Sequence, residues 1–341
     1  MTGARATPAF GHDGGLIALD WGTSSLRAWR LSATGAVLDA RQQDWGIMHL
    51  PEGGFPAAFA AVTRDWQSPG HGLPAIACGM VGSRQGWREV PYLPTPAGLD
   101  QLSAELLSLD TGAGTVLHLV PGVLETNDPQ APDVMRGEET QAMGAAAWLG
   151  GDALLVMPGT HSKWASLRDG RLVSFRTMMT GELFALLRQH SILGRGQAEA
   201  AQVTAAAQAA AFESGVLAAH THGAFARLFS TRALTLTGGL EPGCVSDYLS
   251  GLLIGEELRL ASAELAAAVR IAITGEASLR ERYVRAFAVI GAATPERIAD
   301  SALDGLLRIA SAAGLLPAFA TALLPASAVG PSRSLPPRGT A

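Results

Sequence analysis

One short pattern occurs twice in this chain of 341 residues, and it restricts the fold more than any other feature. An apolar run, a turn rich in small polar residues and a second strand-like run form LIALDWGTSSLRAW and again LLVMPGTHSKWASL. Gly22-Thr23-x-Ser25 in the first copy is matched by Gly159-Thr160-x-Ser162 in the second. Each copy continues through a tight turn into a third strand. Because helical segments follow both copies, the sequence predicts an α/β protein with two related domains.

Length and composition agree with this reading and exclude several classes of protein. A chain of 341 residues exceeds the usual size of a single core, and 48% hydrophobic with 16% charged residues is typical of globular proteins. The formal net charge of -5, without a long Lys/Arg cluster, argues against a nucleic-acid partner. The apolar runs are too short to span a bilayer or to form the core of a signal peptide, so no membrane partner is expected. Two cysteines without metal-like spacing favour a reduced, cytoplasmic protein.

Hydrophobic periodicity predicts the secondary structure around the two copies. Strands are expected three times within residues 16–43, and then at 74–82 and 115–123. Helices are expected at 56–66, 97–109 and from 136 to 150. The remainder after the second copy is expected to be largely helical, including 197–212, with short strands at 233–238 and 269–275.

The first turn has the residue types that bind phosphate. Gly22 lets backbone N–H groups converge on an anion, and the hydroxyl groups of Thr23 and Ser24 add donors. Asp20, at the end of the preceding strand, can hold a hydrated Mg²⁺ that bridges phosphates. Taken alone, the same residues also fit a plain hairpin that Asp20 caps.

The second turn repeats this chemistry. Gly159, Thr160 and Ser162 supply the same groups, and Lys163 adds a positive charge. Two such turns, each opening a similar three-stranded unit, favour a nucleotide whose phosphate chain is bound between two domains.

An acidic segment before the second turn offers a general base. Phosphoryl transfer to an alcohol needs a carboxylate near the attacking hydroxyl, and Asp133, Glu138 and Glu139 are available. The alternative is structural, since acidic residues in the first turn of a helix complement its dipole.

Two further segments carry candidate ligand-binding residues. The loop after the strand at 74–82 contains Ser83, Arg84 and Gln85, and loops at the ends of parallel strands commonly bind ligands. Arg84 or Arg136 could hold a carboxylate in bidentate fashion. Gly275, between a strand and a helix, would let a flat ring approach the backbone, although the glycine pair at 238–239 has a similar setting.

The complete set of segments resembles a known family. LDWGTSSLRAW, GMVGSRQGW, DVMRGEETQ, MPGTHSKW, DYLSGLLIGEEL and ITGEASLRERY occur in order between residues 15 and 292. They are similar to the 2-dehydro-3-deoxygalactonokinase family, within the superfamily of sugar kinases, actin and heat-shock ATPases. The resemblance implies an actin-like ATPase fold, with two ribonuclease-H-like domains flanking an ATP cleft. They are expected at residues 12–136 and 137–322, followed by a disordered tail, rich in Pro, Ser and Gly, at 323–341.

The resemblance also implies an activity: ATP-dependent phosphorylation of the 6-hydroxyl of 2-dehydro-3-deoxy-D-galactonate, with Mg²⁺. Asp20, Gly22 and Thr23 match the first phosphate motif, and Gly159, Thr160 and Ser162 match the second. Gly275 falls at the adenosine motif, where this chain has Gly-Glu in place of two adjacent glycines.

The resemblance also bears on the general base. Gly137-Glu138 takes the place of the Gly-Asp pair that supplies the base in related carbohydrate kinases. The predicted base is therefore Glu138, followed by Asp133 and then Glu139.

The sequence leaves several alternatives open. The acceptor could be another sugar or sugar acid, such as the gluconate-type epimer. A sugar-acid sensor without catalysis, or an ATPase without a sugar acceptor, would keep the same fold. The oligomeric state also stays open, including a homo-oligomer.

Overall fold

The computed structural model describes residues 15–67, 72–112, 114–194, 203–316 and 333–334. The chain divides into two compact units by its internal contacts. Unit 1 comprises Met1–Gly151, Leu167–Ser174 and Asp300–Ala341, and unit 2 comprises Asp152–Ser166 and Phe175–Ala299.

The strands, in chain order, are β1 (Leu16–Trp21), β2 (Leu26–Leu31), β3 (Val37–Gln43), β4 (Ala75–Cys78), β5 (Leu93–Pro94), β6 (Leu107–Asp110), β7 (Val116–Leu119), β8 (Val123–Glu125), β9 (Asp133–Met135), β10 (Ala153–Met157), β11 (Ser162–Arg168), β12 (Arg171–Met178), β13 (Ile271–Ile273), β14 (Glu296–Arg297) and β15 (Arg333–Ser334). The α-helices are α1 (Gly54–Thr63), α2 (Leu99–Ala104), α3 (Glu138–Leu149), α4 (Thr180–His190), α5 (Ala205–His222), α6 (Leu228–Leu236), α7 (Val245–Leu260), α8 (Ser262–Ala267), α9 (Ala277–Val289) and α10 (Ala302–Ala312). Short 3₁₀ turns join several of these elements.

Unit 1 is built on a seven-stranded sheet in the order β15-β3-β2-β1-β4-β7-β6. The first three strands form an antiparallel meander, whereas β4 and β7 run parallel to β1. The apolar residues Leu16–Leu19 are wholly buried, as expected for a central strand covered on both faces. A separate three-stranded sheet, β5-β8-β9, precedes α3.

Unit 2 repeats this topology in its five-stranded sheet, β12-β11-β10-β13-β14. β13 and β14 extend the sheet parallel to β10. The connections from β10 to β11 and from β11 to β12 are too short for a crossover, so these pairs are antiparallel. Counted along the chain, these five strands have the ribonuclease-H-like order 3-2-1-4-5. The sheet of unit 1 contains the matching run β3-β2-β1-β4-β7, with β15 and β6 added at its edges. The expected α/β class with two related halves is therefore confirmed.

The last helix belongs to the first unit. α10 packs against α3 at a close crossing, where a Cβ on Gly305 would lie 1.9 Å from the carbonyl oxygen of Thr140. The contact-based division therefore differs from the expected boundary between residues 136 and 137. It keeps all of α3 in unit 1, and it returns to unit 1 at Leu167–Ser174 and again from Asp300. The two domain ranges expected from sequence stay a prediction.

Two predicted elements were wrong. The helix expected at 97–109 ends at Ala104, and Leu107–Asp110 is strand β6, because it pairs with β7. The strand expected at 233–238 lies largely in α6, where the Thr235 hydroxyl donates to the carbonyl of Thr231. In a helix, a threonine hydroxyl can bond the carbonyl four residues earlier, as it does here.

The other expected elements are present, with small shifts in their bounds. Two further expectations lie partly outside the described residues. Of the tail expected at 323–341, only Arg333–Ser334 is described, and it pairs with β3. Residues 197–202 of the Ala-rich segment also lie outside the described residues. In the described part of the chain, no helix combines the length and apolar character needed to cross a membrane.

Candidate active site

The first candidate phosphate-binding turn joins β1 to β2. The N–H of Gly22 donates to the carbonyl oxygen of Ser25 at 2.9 Å and closes the turn. From behind, the N–H of Ile47 donates to the carbonyl of Gly22 at 3.1 Å. Thr23 and Ser24, at the tip, are exposed. The turn therefore presents two hydroxyl side chains on a fixed backbone.

The second turn joins β10 to β11 in the same position. A Cβ on Gly159 would meet nothing within 4 Å, and the side chains of Thr160 and His161 are exposed. The His161 ring Nε2 lies 2.5 Å from the Glu182 carboxylate at the start of α4. The backbone of this turn is therefore open to a ligand.

A glycine from the next segment supports each turn at close range. A Cβ on Gly46 would lie 2.2 Å from the carbonyl oxygen of Thr23. A Cβ on Gly181 would lie 2.5 Å from the carbonyl oxygen of Gly159 and 2.8 Å from the Cα of Thr160. Only glycine fits such approaches without moving the backbone, so both turns depend on the segment that follows their third strand.

Asp20 is held by an arginine directly across the hairpin. Arg27 stands opposite Asp20 in the β1–β2 register, and its Nε and Nη2 donate to Asp20 Oδ2 at 3.1 and 2.5 Å. Nη1 donates to Asp300. Burial opposes the charge, but the two carboxylates outweigh it and hold the pKa of Arg27 above its ordinary value. The side chains of Asp20 and Arg27 are 19% and 28% exposed, so this ion pair is partly open to solvent.

The ends of β1 and β4 meet the start of α3. A Cβ on Gly79, which has φ +91°, would lie 2.7 Å from the carbonyl oxygen of Trp21 and 3.5 Å from Asp20 Oδ1. Gly79 also contacts the acidic segment, because a Cβ on Gly137 would lie 3.3 Å from the Cα of Gly79. Two glycines thus let the first turn and the acidic segment approach each other within unit 1.

Two of the candidate carboxylates occupy very different environments. Glu139 is wholly buried, and it accepts hydrogen bonds from the Gly137 N–H at 2.6 Å and the Thr140 hydroxyl at 2.9 Å. Burial, together with the neighbouring Glu138, raises the pKa of Glu139 to about 7. Glu138 is half-buried, and its Oε2 accepts from the Arg136 N–H at 3.2 Å. Of the two, Glu138 is the carboxylate that a substrate can reach.

The third candidate, Asp133, lies on β9 opposite Glu125 in the antiparallel pair. Its Oδ1 accepts from the N–H of Val134 at 2.7 Å. Asp133 therefore belongs to the small sheet, whereas Glu138 belongs to the helix start.

Arg136 and Ser83 present buried polar atoms that lack protein partners. Arg136 is 8% exposed; its Nη2 donates to the Val90 carbonyl at 2.7 Å, and its guanidinium lies 4.4 Å from the centre of the Tyr92 ring. Its Nε and Nη1, and the hydroxyl of Ser83, have no hydrogen-bond partner within the described residues. A Cβ on Gly82, next to Ser83, would lie 3.1 Å from Nη1. Buried unpaired donors of this kind mark a place for an anionic or polar ligand.

The other two loop candidates differ from Ser83 in their surroundings. Arg84 and Gln85 are exposed, on the loop that follows β4. The structure therefore brings Arg136 next to the segment that carries Ser83, and it leaves Arg84 and Gln85 at the surface.

Ser162 and Lys163, expected as phosphate ligands, have their polar atoms engaged inside unit 2. Both are buried at the start of β11. The Ser162 hydroxyl lies 2.9 Å from the Tyr283 hydroxyl, and Lys163 Nζ donates to the Thr177 hydroxyl at 2.7 Å. In this arrangement the backbone of the turn, with Thr160, is the part available to phosphate.

Gly275 lies between β13 and α9, as the sequence predicts. Its φ is +110°, a backbone conformation that favours glycine. The competing pair at 238–239 follows helix α6 instead. Glu276, which replaces the second glycine, caps α9 by accepting from the N–H groups of Ser278 and Leu279. Its carboxylate is therefore folded onto its own helix.

A cavity of about 250 Å³ adjoins the second turn within unit 2. Helices α4, α7 and α9 and the turn itself line it, and the polar side chains are Thr180, Arg188, Ser246, Ser250, Ser278, Arg282 and Tyr283. The two glycines Gly159 and Gly181 and the apolar side chains of Phe184, Leu253, Ile254 and Leu279 complete the wall. Such a mixture suits a flat ring with polar substituents.

Comparison with known proteins identifies the family. A sequence model described as 2-keto-3-deoxy-galactonokinase matches residues 20–309. The chain belongs to the 2-keto-3-deoxy-galactonokinase family. The 2-dehydro-3-deoxygalactonokinase of Escherichia coli (strain K12) is 39% identical over 293 residues, covering 86% of this chain and 96% of that protein.

A further relative and a solved structure support the same family assignment. A relative from Rhizobium meliloti (strain 1021), provisionally named a 2-dehydro-3-deoxygalactonokinase, is 41% identical over 269 residues, covering 78% of this chain and 86% of the relative. A crystal structure from Sinorhizobium meliloti with the same provisional name superposes with a TM-score of 0.80 at 38% identity, covering 87% of this chain and 98% of that one.

Kinases of this kind use ATP, and the donor set at Asp20 suits Mg²⁺. Magnesium is usually bound by one or two carboxylates together with substrate phosphates and water. Asp20 is a single carboxylate beside a candidate phosphate-binding turn, and Arg27 engages only its Oδ2. Within the described residues, the second oxygen, Oδ1, has only the Cys78 thiol as a donor, at 3.8 Å, and could also accept from a hydrated cation.

Sequence reasoning missed three residues that organise these sites. Arg27 was left without a role, although its position seven residues after Asp20 across a four-residue turn places it opposite that carboxylate. Glu257 and Tyr283 lie in motifs of this 2-keto-3-deoxy-galactonokinase family, but only the folded chain brings their side chains together.

Proposed function

We propose that this chain transfers a phosphoryl group from ATP to the 6-hydroxyl of 2-dehydro-3-deoxy-D-galactonate, giving the 6-phosphate and ADP. The proposal rests first on membership of the 2-keto-3-deoxy-galactonokinase family. The single structural observation that supports it is the junction at Gly79, which brings the Asp20 strand and the Glu138 helix start together. A metal-binding carboxylate and a base carboxylate on neighbouring elements are what phosphoryl transfer to an alcohol requires.

On the acceptor side, Glu138 orients the 6-hydroxyl and accepts its proton as the bond to phosphorus forms. A general base must be within hydrogen-bond reach of its substrate, and Glu138 is half-buried rather than enclosed. Glu139 holds the N–H of Gly137 and so fixes the backbone from which Glu138 projects. Asp133 is the alternative base, one strand away.

On the nucleotide side, both turns bind phosphates through backbone N–H groups and the hydroxyls of Thr23 and Thr160. Asp20 would hold Mg²⁺, which neutralises charge on the phosphates when bound. We assign the adenosine to the cavity of unit 2, bordered by Gly159 and the start of α9 near Gly275. ATP is supplied in the cytoplasm, and we place the protein there.

The substrate carboxylate is assigned to Arg136 and Ser83. Arg136 keeps two unpaired nitrogens, and Ser83 keeps an unpaired hydroxyl, in the described structure. A carboxylate that accepts from these donors would satisfy them and neutralise a buried charge. The exposed Arg84 is the alternative partner.

Coupled ADP release measured with a panel of acceptors tests the reaction. We expect turnover with the galactonate-derived keto-acid, less with its gluconate-type epimer, and none with neutral sugars. Equal rates with both epimers would overturn the assigned specificity. ADP release that does not depend on acceptor would indicate an ATPase, and ligand binding without ADP release would indicate a sensor.

A pair of glutamate variants tests the base. Glu138→Gln should lower kcat by about 10²–10⁴-fold, because the proton acceptor is lost. The matched control is Glu105→Gln, at the end of α2, which should retain wild-type kcat. A Glu138→Gln protein with full kcat removes Glu138 as the base.

A pair of arginine variants tests the carboxylate site. Arg136→Gln should raise KM for the keto-acid by about 100-fold, the loss of a charge-assisted contact, while KM for ATP changes little. Arg88→Gln, an exposed arginine of the loop after β4, is the control. If KM for the keto-acid is unchanged in the Arg136 variant and raised in Arg84→Gln, the alternative partner is correct.

A further inference from the structure

A buried hydrogen-bond network connects the elements around the cavity of unit 2. Glu257, on α7, is 1% exposed, and both of its carboxylate oxygens accept hydrogen bonds. The Tyr283 hydroxyl donates to Oε1 at 2.7 Å, and the Trp164 indole donates to Oε2 at 2.8 Å. The Ser162 hydroxyl lies 2.9 Å from the Tyr283 hydroxyl and extends the network to the start of β11.

The network reaches each wall of the cavity. Tyr283, on α9, lines the cavity and donates to Glu257. Thr180, at the start of α4, also lines the cavity, and its side chain counteracts the rise in the pKa values of Glu257 and Tyr283 that burial causes. Ser162, the first residue of β11, directly follows the second turn, whose Gly159 also lines the cavity. A single carboxylate on α7 therefore connects a strand and two further helices.

Glu257 is an unusual residue to bury. Within the described residues it has no ion pair, and its negative charge is met by hydroxyl and indole donors alone. Burial raises the pKa of this carboxyl, whereas bonds from Thr180, Trp164, Tyr283 and Ser162 oppose the rise. A buried polar network of this kind fixes one arrangement of the groups it joins, because each broken bond leaves a buried polar atom unsatisfied.

We propose that Glu257 is a positioning residue for the nucleotide: through Tyr283 and Thr180 it sets the width of the cavity, and through Ser162 it fixes the second turn. This inference rests on the proposed use of the cavity by adenosine. It gives a common role to one side chain from each of three segments: MPGTHSKW supplies Trp164, DYLSGLLIGEEL supplies Glu257 and ITGEASLRERY supplies Tyr283. It also explains why the Ser162 hydroxyl faces its own unit rather than a ligand.

Nucleotide binding to the full chain, measured by calorimetry with ADP and with ATP, tests this inference together with steady-state kinetics. Glu257→Gln and Tyr283→Phe each remove part of the network and keep the shape of the side chain. Each should raise Kd for ADP and KM for ATP by about tenfold, with KM for the keto-acid unchanged within about twofold. The double variant should be little worse than either single variant, because both act through one network.

Two variants on the same helix serve as matched controls. Glu256→Gln changes the neighbouring glutamate, whose partners are Arg259 and the N–H of Ala224. Tyr248→Phe changes a buried tyrosine that belongs to a separate apolar cluster. Both should bind ADP as the wild-type chain does.

The other outcomes separate the positioning inference from the proposed function. Folded Glu257→Gln and Tyr283→Phe proteins that bind ADP normally would overturn the positioning inference. A proportional loss of affinity for both substrates, with a lower Tm, would assign the network to general stability and also overturn it. If Glu257→Gln does not fold, Tyr283→Phe decides alone. A wild-type chain that binds no adenine nucleotide would refute the proposed function itself.

Discussion

The two turns share a backbone plan but differ in charge. When Gly22 is matched to Gly159, Asp20 corresponds to Met157 and Arg27 corresponds to Trp164. The first turn therefore has a partly exposed ion pair at its base, and the second has a thioether and an indole bonded to a buried carboxylate. In the proposed function, one half of the chain supplies charge next to the phosphates, and the other supplies the cavity for adenosine.

The shared plan extends to individual hydrogen bonds. The N–H of Met48 donates to the carbonyl of Thr23 at 3.2 Å, and the N–H of Glu182 donates to the carbonyl of Thr160 at 3.0 Å. The two threonines are equivalent positions in the repeat, and each is held by the segment that follows the third strand. The two halves therefore support their turns through equivalent backbone hydrogen bonds. They differ in the side chains at the base of each turn.

The largest expected effect comes from removing the charge that distinguishes the first turn. Asp20→Asn keeps the shape of the side chain and should lower kcat/KM for ATP by about 10²–10³-fold, as for other lost electrostatic contacts. Met157→Leu, at the equivalent position of the second turn, should stay within about twofold. Steady-state kinetics with saturating Mg²⁺ gives both values. Similar kinetics for the two variants would mean that the charge difference has no function.

The glycines behind the turns test what the halves have in common. Gly46→Ala and Gly181→Ala should each lower kcat/KM by about 10–100-fold, because the added methyl group displaces a phosphate-binding turn. Each should also lower the free energy of unfolding by about 1–3 kcal/mol, as overpacking does.

Urea unfolding and kinetics measure these losses. The control is Gly151→Ala, where an added Cβ meets nothing within 4 Å. A loss in only one of the two glycine variants would contradict the shared plan.

A third test uses pH to probe the buried carboxylate of the first half, Glu139. The pKa of Glu139 is about 7 in the folded chain, above its unfolded value of 4.5, so the unfolded state releases its proton first. Stability from this group is therefore lost as pH rises between about 4.5 and 7, by on the order of 3 kcal/mol.

Urea unfolding at several pH values measures this slope in wild type and in Glu139→Gln. The variant lacks the titrating group, so its stability relative to wild type should increase with pH over that range. Parallel pH profiles for the two proteins would show that Glu139 does not titrate there.

The smallest expected effect concerns Glu276, which stands where the superfamily usually has a second glycine. Hydrogen bonds from the Ser278 hydroxyl and from the N–H groups of Ser278 and Leu279 hold the pKa of Glu276 at about 2, so it is a charged helix cap at neutral pH. Glu276→Gly should lower Tm slightly by removing the cap and should change KM for ATP by less than about threefold. A large change in KM for ATP would mean that the charge of Glu276 contributes to nucleotide binding in the second half.

Local patterns were sufficient for the frame of the fold and for the positions of both turns. The strands of β1–β3 and β10–β12 alternate or bury apolar residues in ways that periodicity detects, and the repeat of Gly-Thr-x-Ser located the turns. The glutamates at the start of α3 were also found, because a helix start after Gly137 is a local signal.

Long-range pairing explains what the sequence did not predict. Leu107–Asp110 is a strand only because β7 lies beside it, and a propensity-based reading extends the preceding helix. The Ser162 hydroxyl was expected to bind phosphate, yet Tyr283, 121 residues later, provides its partner. The pairing of Arg27 with Asp20 is local, but its second partner, Asp300, is 273 residues away and could not be predicted from sequence.

The position of α10 has a consequence for how the chain is made. The helix that carries Glu138 and Glu139 packs against Gly305, and Arg27 bonds to Asp300. Both partners leave the ribosome only after all of unit 2 has been synthesised. The first unit therefore cannot reach its final packing during translation before the second is made, and a chain truncated before residue 300 would lack part of its own first half.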